Sequence, residues 1–391
     1  MVYIKRDDLL HLHDSNVSGN KARKFFALNE LPVEDFPDAL VSYGGPQSNA
    51  MLALAAIVNA KNVQLTGVKV EEEISDEIET DNWLHSDDEE ESGEEGDFEN
   101  DDDVENLQGY VSEEIKSLKN RKRFVYITKK IPRYLRKQPS GNLLRALSLG
   151  MEIKEVSNDE YKELFGGEDG GSSTPPSAID APVPMKSLWV PQGGACGVAK
   201  HGAFLMAEEI ISFWESRGNN MPLTVCLPGG TCTTAMLLTQ QINVILEERK
   251  RKDENWMQLD IKVGVIPCVG DEQYALRQMK ALDIATGGSG TDIPLVFPPW
   301  KNKYLRFGEP NIHILNTFLE MKNEYGIYLD LLYGAPAWNL LLQYLTSQRD
   351  SPIKGRQVMY VHSGGIEGVA SQLTRYKHKG LIDESQLQTI C

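Results

Sequence analysis

Apolar and charged residues alternate along Val2-Tyr3-Ile4-Lys5-Arg6, which predicts a strand ending in the acidic turn Asp7-Asp8. Gly19 and Asn20 are turn residues that can open a helix, and Phe25, Phe26 and Leu28 follow at helical spacing. Ala39 to Tyr43 reads as a short buried strand that runs into Gly44-Gly45-Pro46-Gln47-Ser48-Asn49. An Ala/Leu-rich helix is expected from Ala50 to Ala60, and a second strand from Val63 to Val70. Strand, glycine turn, helix and strand in that order make a βαβ unit, which implies a parallel sheet.

The pattern resumes with a strand at Phe124 to Thr128, a helix at Gly141 to Leu147 and a strand at Met151 to Val156. Leu188-Trp189-Val190 is a strand entering Pro191-Gln192-Gly193-Gly194, with a helix from Ala203 to Ser212. Leu223 to Leu227 is a strand ending at Pro228-Gly229-Gly230-Thr231, followed by a long helix to about Arg249. Val263 to Ile266 and Val358 to Val361 are further buried-type strands, and Leu315 to Tyr325 and Trp338 to Leu345 read as helices. The expected fold class is α/β, with helices on both faces of mainly parallel sheets.

Two stretches break this pattern. Residues 71–108 are poor in apolar side chains and dense in charge, so an acidic disordered insert is expected there. Gly166 to Pro184 is rich in Gly, Ser and Pro and reads as a loop. The first stretch also explains the net charge of −17, because 20 of the 57 acidic residues lie between Glu71 and Glu105, where no Lys or Arg occurs. The remainder is close to neutral and shows no basic stripe with interleaved aromatics, so nucleic acid is not an expected partner.

At 391 residues the chain is long enough for two domains with full cores. It has no run of about 18 apolar residues, so no membrane span is expected. Its five cysteines (Cys196, Cys226, Cys232, Cys268, Cys391) form no CxxC pair and its histidines no metal-ligand spacing. These features suit a reducing, cytoplasmic setting without a metal site.

The candidate chemistry lies in the turns. Lys21, just inside a helix start, is expected to feel the helix dipole and the charges of Arg23 and Lys24, all of which favour its neutral amine. A neutral lysine is what a Schiff base requires, although the segment Ser18–Lys24 alone reads first as a solvated basic turn. Gly229-Gly230-Thr231 opening a helix can cup a phosphate with its backbone N–H groups, or can be merely a tight turn. It is neither a GxGxxG nor a P-loop. Gln47-Ser48-Asn49 can hold a carboxylate at a helix start, or Ser48 can be an ordinary N-cap. Tyr333 and His362-Ser363-Gly364-Gly365 each follow an apolar run.

Taken in order, the blocks Lys5-Arg6-Asp7-Asp8, Gly19-Asn20-Lys21-x-Arg23-Lys24, Gly44-Gly45-x-Gln47-Ser48-Asn49, Gly141-Asn142-Leu143-Leu144, Pro191-x-Gly193-Gly194, Gly229-Gly230-Thr231, Leu329-Asp330-x-x-Tyr333 and His362-Ser363-Gly364-Gly365 resemble one family. It is that of the pyridoxal-phosphate enzymes that include D-cysteine desulfhydrase and 1-aminocyclopropane-1-carboxylate (ACC) deaminase, with the tryptophan-synthase-β-like fold. The resemblance runs from Val2 to about Ile382, interrupted at 71–122 and 166–187. It implies a large cofactor domain of 1–24 plus 159–391, with a loop insert at 166–187, and a small domain of 25–158. The cofactor would lie in the cleft between them.

Carried over residue by residue, the resemblance implies that Lys21 forms the Schiff base with pyridoxal phosphate and shuttles the substrate's α-proton. Lys24, Asn49 and Gly229-Gly230-Thr231 would take the phosphate, and Ser363 would meet the pyridine nitrogen. Gln47, Ser48 and Asn49 would bind a small amino-acid substrate, with Ser48 a proton-transfer partner, and Tyr333 would lie by the ring as an acid/base group. A homodimer is implied as well. A neutral hydroxyl at the ring nitrogen makes a milder electron sink, which suits β-elimination of a good leaving group.

The expected reaction is conversion of D-cysteine to pyruvate, ammonia and hydrogen sulfide. ACC deaminases carry Glu after the tyrosine and Leu in the His-x-Gly-Gly block, where this chain has Gly334 and Ser363. ACC deamination is the alternative reaction. Other departures are Pro228 in place of the family's serine, no counterpart of a second active-site tyrosine over Phe307 to His313, and a start at the first strand that leaves room for an organelle-targeting peptide. These departures also allow a catalytically impaired cofactor-binding protein that acts through its acidic insert.

Overall fold

The computed structural model describes residues 2–67, 107, 109, 121–165, 186–217, 221–254, 256, 258–299, 306–347 and 351–390. The acidic insert expected at 71–108, apart from Leu107, and the loop expected at 166–187, up to residue 185, lie outside the described residues.

In chain order the first half contains β1 (Val2–Arg6), β2 (His11–Leu12), β3 (Val17–Ser18), α1 (Gly19–Glu30), β4 (Ala39–Tyr43) and α2 (Asn49–Thr66). Then come β5 (Arg123–Lys129), α3 (Arg133–Lys137), α4 (Gly141–Ser148), β6 (Glu152–Val156), α5 (Asn158–Phe165) and β7 (Ser187–Val190). The second half contains α6 (Lys200–Ser216), β8 (Leu223–Gly229), α7 (Thr233–Lys252), β9 (Ile261–Pro267), α8 (Glu272–Ala285) and β10 (Leu295–Val296). It closes with α9 (Ile312–Tyr325), α10 (Gly334–Thr346), β11 (Gln357–His362), α11 (Val369–His378) and α12 (Glu384–Ile390).

Two parallel sheets organise these elements. The larger has the order β1-β11-β8-β9-β10. Its inner strands are buried on both faces because successive side chains point opposite ways. Val225, Leu227, Met359 and Val361 join a core with α6, α7 and α8, while Cys226, Val358 and Tyr360 join one with α9, α10 and α11. The smaller sheet has the order β6-β5-β4-β7. Leu40, Phe124, Tyr126 and Val190 face α2 and α4, and Val41, Tyr43, Val125 and Ile127 face α5.

Three expectations are corrected. Val63 to Thr66 is the last turn of α2 and not the start of a strand; the helix, begun by the Ser48 N-cap, closes at Gly67, whose φ is 72° and whose N–H donates to the Val63 carbonyl. Val68 to Val70 lie outside the described residues. The second strand of the first βαβ unit is β5, which pairs with β4 from Ala39↔Arg123 to Tyr43↔Ile127.

The strand Ser187–Val190, placed beyond the small-domain boundary at 158, pairs with β4 in the smaller sheet. Its alternation explains the placement, since Val190 enters the α2 core while Trp189 stacks on Tyr43 with ring centroids 5.4 Å apart. The boundary expected at residues 24/25 also falls inside one continuous helix. α1 buries Phe25 and Leu28 in the small-sheet core and presses on α6 so closely that a Cβ on Gly202 would sit 1.7 Å from the Arg23 carbonyl oxygen.

Candidate active site

Ligands of parallel α/β sheets collect at the carboxyl ends of strands. The turns after β1, β4, β8 and β11 are the glycine- and polar-rich segments that the sequence singles out, and α1 knits three of them together. Gly19 has φ 61°, and a Cβ there would lie 2.6 Å from the Ser363 carbonyl oxygen, so only glycine admits this approach. The Asn20 N–H donates to that same oxygen at 2.8 Å, while its side-chain Oδ1 accepts from the Thr234 hydroxyl at 2.8 Å. Lys21 therefore stands beside both the His362–Gly365 turn and the start of α7.

Burial pushes the Lys21 amine down to about 8, partly offset by the Glu367 carboxylate, which raises it. The cause differs from that expected. Arg23 does not act on this amine, because its guanidinium is turned to Asp7 (3.0 and 3.2 Å) and to both oxygens of Glu209 (2.9 Å each). Lys5 completes that network, 2.7 Å from Asp7 and 2.6 Å from Glu209. The result ties β1, α1 and α6 together below the site.

Lys24 is buried, and burial together with the charge of Lys21 pushes its amine well down. Its Nζ donates to the Gly193 carbonyl at 2.8 Å. Gly193 in turn packs on Thr231, since a Cβ on this glycine (φ 70°) would come 2.6 Å from Thr231 Oγ1. Lys24 thus stands one turn behind the Gly229–Thr231 loop.

That loop ends β8, passes through Cys232 at φ 53° and enters α7. Thr231 and Thr233 hydroxyls lie 2.8 Å apart. A Cβ on Gly230 would meet the Tyr333 ring at 3.0 Å and its hydroxyl at 3.4 Å, so Tyr333 closes over this glycine.

Tyr333 is itself held from below. Asp330 accepts backbone N–H bonds from Leu332 (2.9 Å), Tyr333 (2.6 Å) and Gly334 (2.8 Å). Burial raises its carboxyl to about 6 despite those donors. Phe307 packs against the Tyr333 ring with centroids 5.3 Å apart, so an aromatic side chain without a hydroxyl comes from the stretch that lacks a second tyrosine.

The β4 turn meets α4. Ser48 is the N-cap of α2, its Oγ accepting the Met51 N–H at 3.4 Å, so the structural role is real even though the residue also sits at a strand's carboxyl end. Gln47, expected at the substrate, is engaged elsewhere: its Oε1 accepts the Asn142 N–H at 2.9 Å and its Nε2 donates to the Ser140 carbonyl at 3.0 Å. Its amide anchors the Gly141 turn. Asn49 Oδ1 accepts from Asn142 Nδ2 at 2.7 Å, leaving Asn49 Nδ2 directed toward Gly365, 3.4 Å from where a Cβ on that glycine would stand. Ser363 lies in the loop that accepts Asn20. The preceding His362 is buried, with Nδ1 accepting the Gly364 N–H and Nε2 3.5 Å from Asp8.

The structure thus gathers Lys21, Gly229, Gly230, Thr231, Tyr333, Asn49 and Ser363 around one set of turns, with Lys24 and Ser48 in the adjoining layer. It adds Tyr126, Asn142, Phe307, Asp330 and Glu367. Asp330 carried a signal, an acid three residues before Tyr333 at a helix start. Tyr126 carried none.

No family model matches the chain, and no curated protein does. Among solved structures, an ACC deaminase homologue is 15% identical with a TM-score of 0.55, covering 100% of this chain and 89% of that one. The fold is the tryptophan-synthase-β-like one. An L-serine ammonia-lyase from the fungus Rhizomucor miehei is 11% identical with a TM-score of 0.47, covering 97% of this chain and 92% of that one. A hydrogen sulfide-producing enzyme from Fusobacterium nucleatum is 13% identical with a TM-score of 0.44, covering 94% and 90%. Among the described residues no helix is long and apolar enough to cross a membrane, and no group of three or more His, Cys, Asp or Glu is placed to hold a metal ion.

Proposed function

We propose that the chain is a pyridoxal-phosphate-dependent lyase that eliminates a β-leaving group from a small amino acid, with D-cysteine as substrate and pyruvate, ammonia and hydrogen sulfide as products. The observation that carries this reading is the Lys21 amine, pushed down to about 8 beside a glycine cradle at a helix start. Neutral amines attack aldehydes, and helix N-termini bind phosphate, so the two features together fit an aldehyde phosphate. The cradle itself supports the fit, because a side chain at Gly230 would run into Tyr333.

When bound, the cofactor supplies an electron sink for the carbanion left at the substrate's α-carbon. The chain's residues do the rest. Gly229, Gly230 and Thr231, with the first N–H groups of α7, hold the phosphate, and the buried Lys24 amine behind them is a further N–H donor. Ser363 faces the ring nitrogen with a neutral hydroxyl. Ser48 and Asn49, at the start of α2, receive the substrate carboxylate. Lys21 Nζ removes the α-proton, and Tyr333, packed over Gly230, exchanges a proton through its hydroxyl. D-cysteine and one water give pyruvate, ammonia and hydrogen sulfide with no oxidant required.

The test is the full chain incubated with pyridoxal phosphate. A visible absorbance band that is absent in Lys21→Ala, with pyruvate released from D-cysteine, is the expected result. No band in the unmodified chain refutes the reading. Release of 2-oxobutyrate from ACC with none of pyruvate from D-cysteine would move the substrate to the cyclopropane and keep the residue roles.

A further inference from the structure

Asn49 and Asn142 lie in the first turns of α2 and α4, two helices that share the small-sheet core. The turn before Asn49 is fastened from beneath. The Tyr126 hydroxyl donates to the Gly45 carbonyl at 3.1 Å, and that carbonyl also accepts the Ser48 N–H at 3.2 Å. With the backbone held, what remains to be set at Asn49 is which end of its amide faces the turn after β11.

Backbone groups settle it. The Nδ2 of the buried Asn142 lies 3.1 Å from the Gln47 carbonyl, which can only accept, so that corner of the amide is the nitrogen. Its second hydrogen reaches Asn49 at 2.7 Å, and a donor there requires the Asn49 oxygen. Gln47 is fixed by the same logic, since its Oε1 meets the Asn142 N–H at 2.9 Å and its Nε2 the Ser140 carbonyl at 3.0 Å. A Cβ on Gly141, at φ 58°, would come 2.8 Å from Gln47 Oε1, so glycine keeps this corner open. The Asn49 Nδ2 is left outside the network, with no hydrogen-bond partner among the described residues. It points toward Gly365, 3.4 Å from where a Cβ would stand, and the glycine leaves that space open.

We propose that Asn142 is a positioning residue for Asn49, turning its amide so that Nδ2 donates to an anionic oxygen bound between the start of α2 and the turn after β11. The inference rests on the lyase reading above, in which that oxygen belongs to the cofactor or to the substrate's carboxylate. Asn142, behind Asn49, acts through it. A pair that served only to clasp α2 to α4 would need the Asn49 oxygen and be indifferent to the group beside it.

Asn142→Ala, Asn49→Ala, their double variant and Asn49→Asp test it in the full chain. In cofactor-free protein, urea unfolding should show the two alanine substitutions coupled by about fivefold in the unfolding constant, the size of one buried hydrogen bond. Asn49→Asp keeps an oxygen for Asn142 at a helix start that favours a carboxylate, and should unfold within about twofold of wild type. With cofactor added, Asn142→Ala should weaken one binding step about tenfold with kcat nearly unchanged. A raised dissociation constant for pyridoxal phosphate, read by absorbance titration, puts the oxygen on the cofactor. A raised KM for D-cysteine (for ACC, if 2-oxobutyrate is the product) puts it on the substrate. Asn49→Asp should lose the same step at least as much although its fold is intact, and Asn142→Ala should cost nothing further in the Asn49→Ala background. Additive binding losses, an Asn49→Asp chain that binds as wild type does, or an Asn142→Ala chain that loses stability alone each overturn the role of Asn142 and leave the lyase reading standing. A wild-type chain that forms no visible band overturns both together.

Discussion

Replacing Lys21 with methionine should make the protein more stable, by an amount that depends on pH. The amine sits at about 8 in the folded chain and near 10.5 when exposed, chiefly because burial disfavours its charge. Above pH 10.5 the amine is neutral in both states and carries no penalty. As pH falls toward 8 the unfolded chain takes up the proton first, so the stability present at high pH is lost on acidification. A shift of about 2.5 units corresponds to about 3 kcal/mol, and partial exposure of the side chain reduces this to about 2–3 kcal/mol. Urea unfolding of wild type and Lys21→Met at matched pH from 7 to 10 reads the effect, since titrating groups away from the site cancel in the difference and only the coupled Lys24 and Glu367 change with Lys21. The methionine variant should gain on the wild type as pH falls, with most of the change above pH 8. Glu367→Gln, which removes the carboxylate that raises the amine, should move that change to lower pH. A difference that stays flat with pH, or that favours the wild type more in acid, would refute the argument that Lys21 is held in a desolvated site.

Three further outcomes follow from neighbouring contacts. Arg23→Ala leaves the buried Asp7 carboxylate with Lys5 alone and should cost about 3–5 kcal/mol in urea unfolding. Gly19→Ala places a Cβ 2.6 Å from the Ser363 oxygen at a φ of 61° and should lower stability by more than ~1 kcal/mol while weakening binding of the cofactor at Lys21. Asp330, raised by burial to about 6, contributes stability that is complete below about pH 3.8 and is lost as pH rises through 6. Relative to Asp330→Asn, wild type should therefore lose about 2 kcal/mol between pH 4 and pH 7, read from unfolding midpoints at the two pH values.

The parts legible in the sequence are those fixed by local pattern. A buried strand ending in two glycines and a polar turn is recognisable without knowing its neighbours, as at Gly44–Asn49, Gly229–Thr231 and His362–Gly365. The parts that were not legible depend on partners far along the chain. Val63 to Thr66 has strand-forming residues, but a capped helix already in progress continues through them until Gly67 stops it. Strand Ser187–Val190 could belong to either sheet on composition, and its pairing with β4, with Trp189 against Tyr43, decides.

Site chemistry follows the same division. Lys21 and the glycine cradle are encoded in adjacent residues, whereas the causes that act on them are not. The sequence places Arg23 two residues from Lys21 and invites a repulsion argument. The fold turns that guanidinium to Asp7 and Glu209, and burial takes over as the cause of the shift. Gln47 is the converse case, a side chain that looks free for substrate in sequence but is claimed by the Ser140–Asn142 turn across the sheet. Ser48 keeps its Oγ at its own helix start, where it accepts the Met51 N–H. Which polar side chains stay open at the start of α2 is thus set by which hydrogen bonds the fold has already made, and for Gln47 that information lies in the turn that opens α4, not in the motif itself.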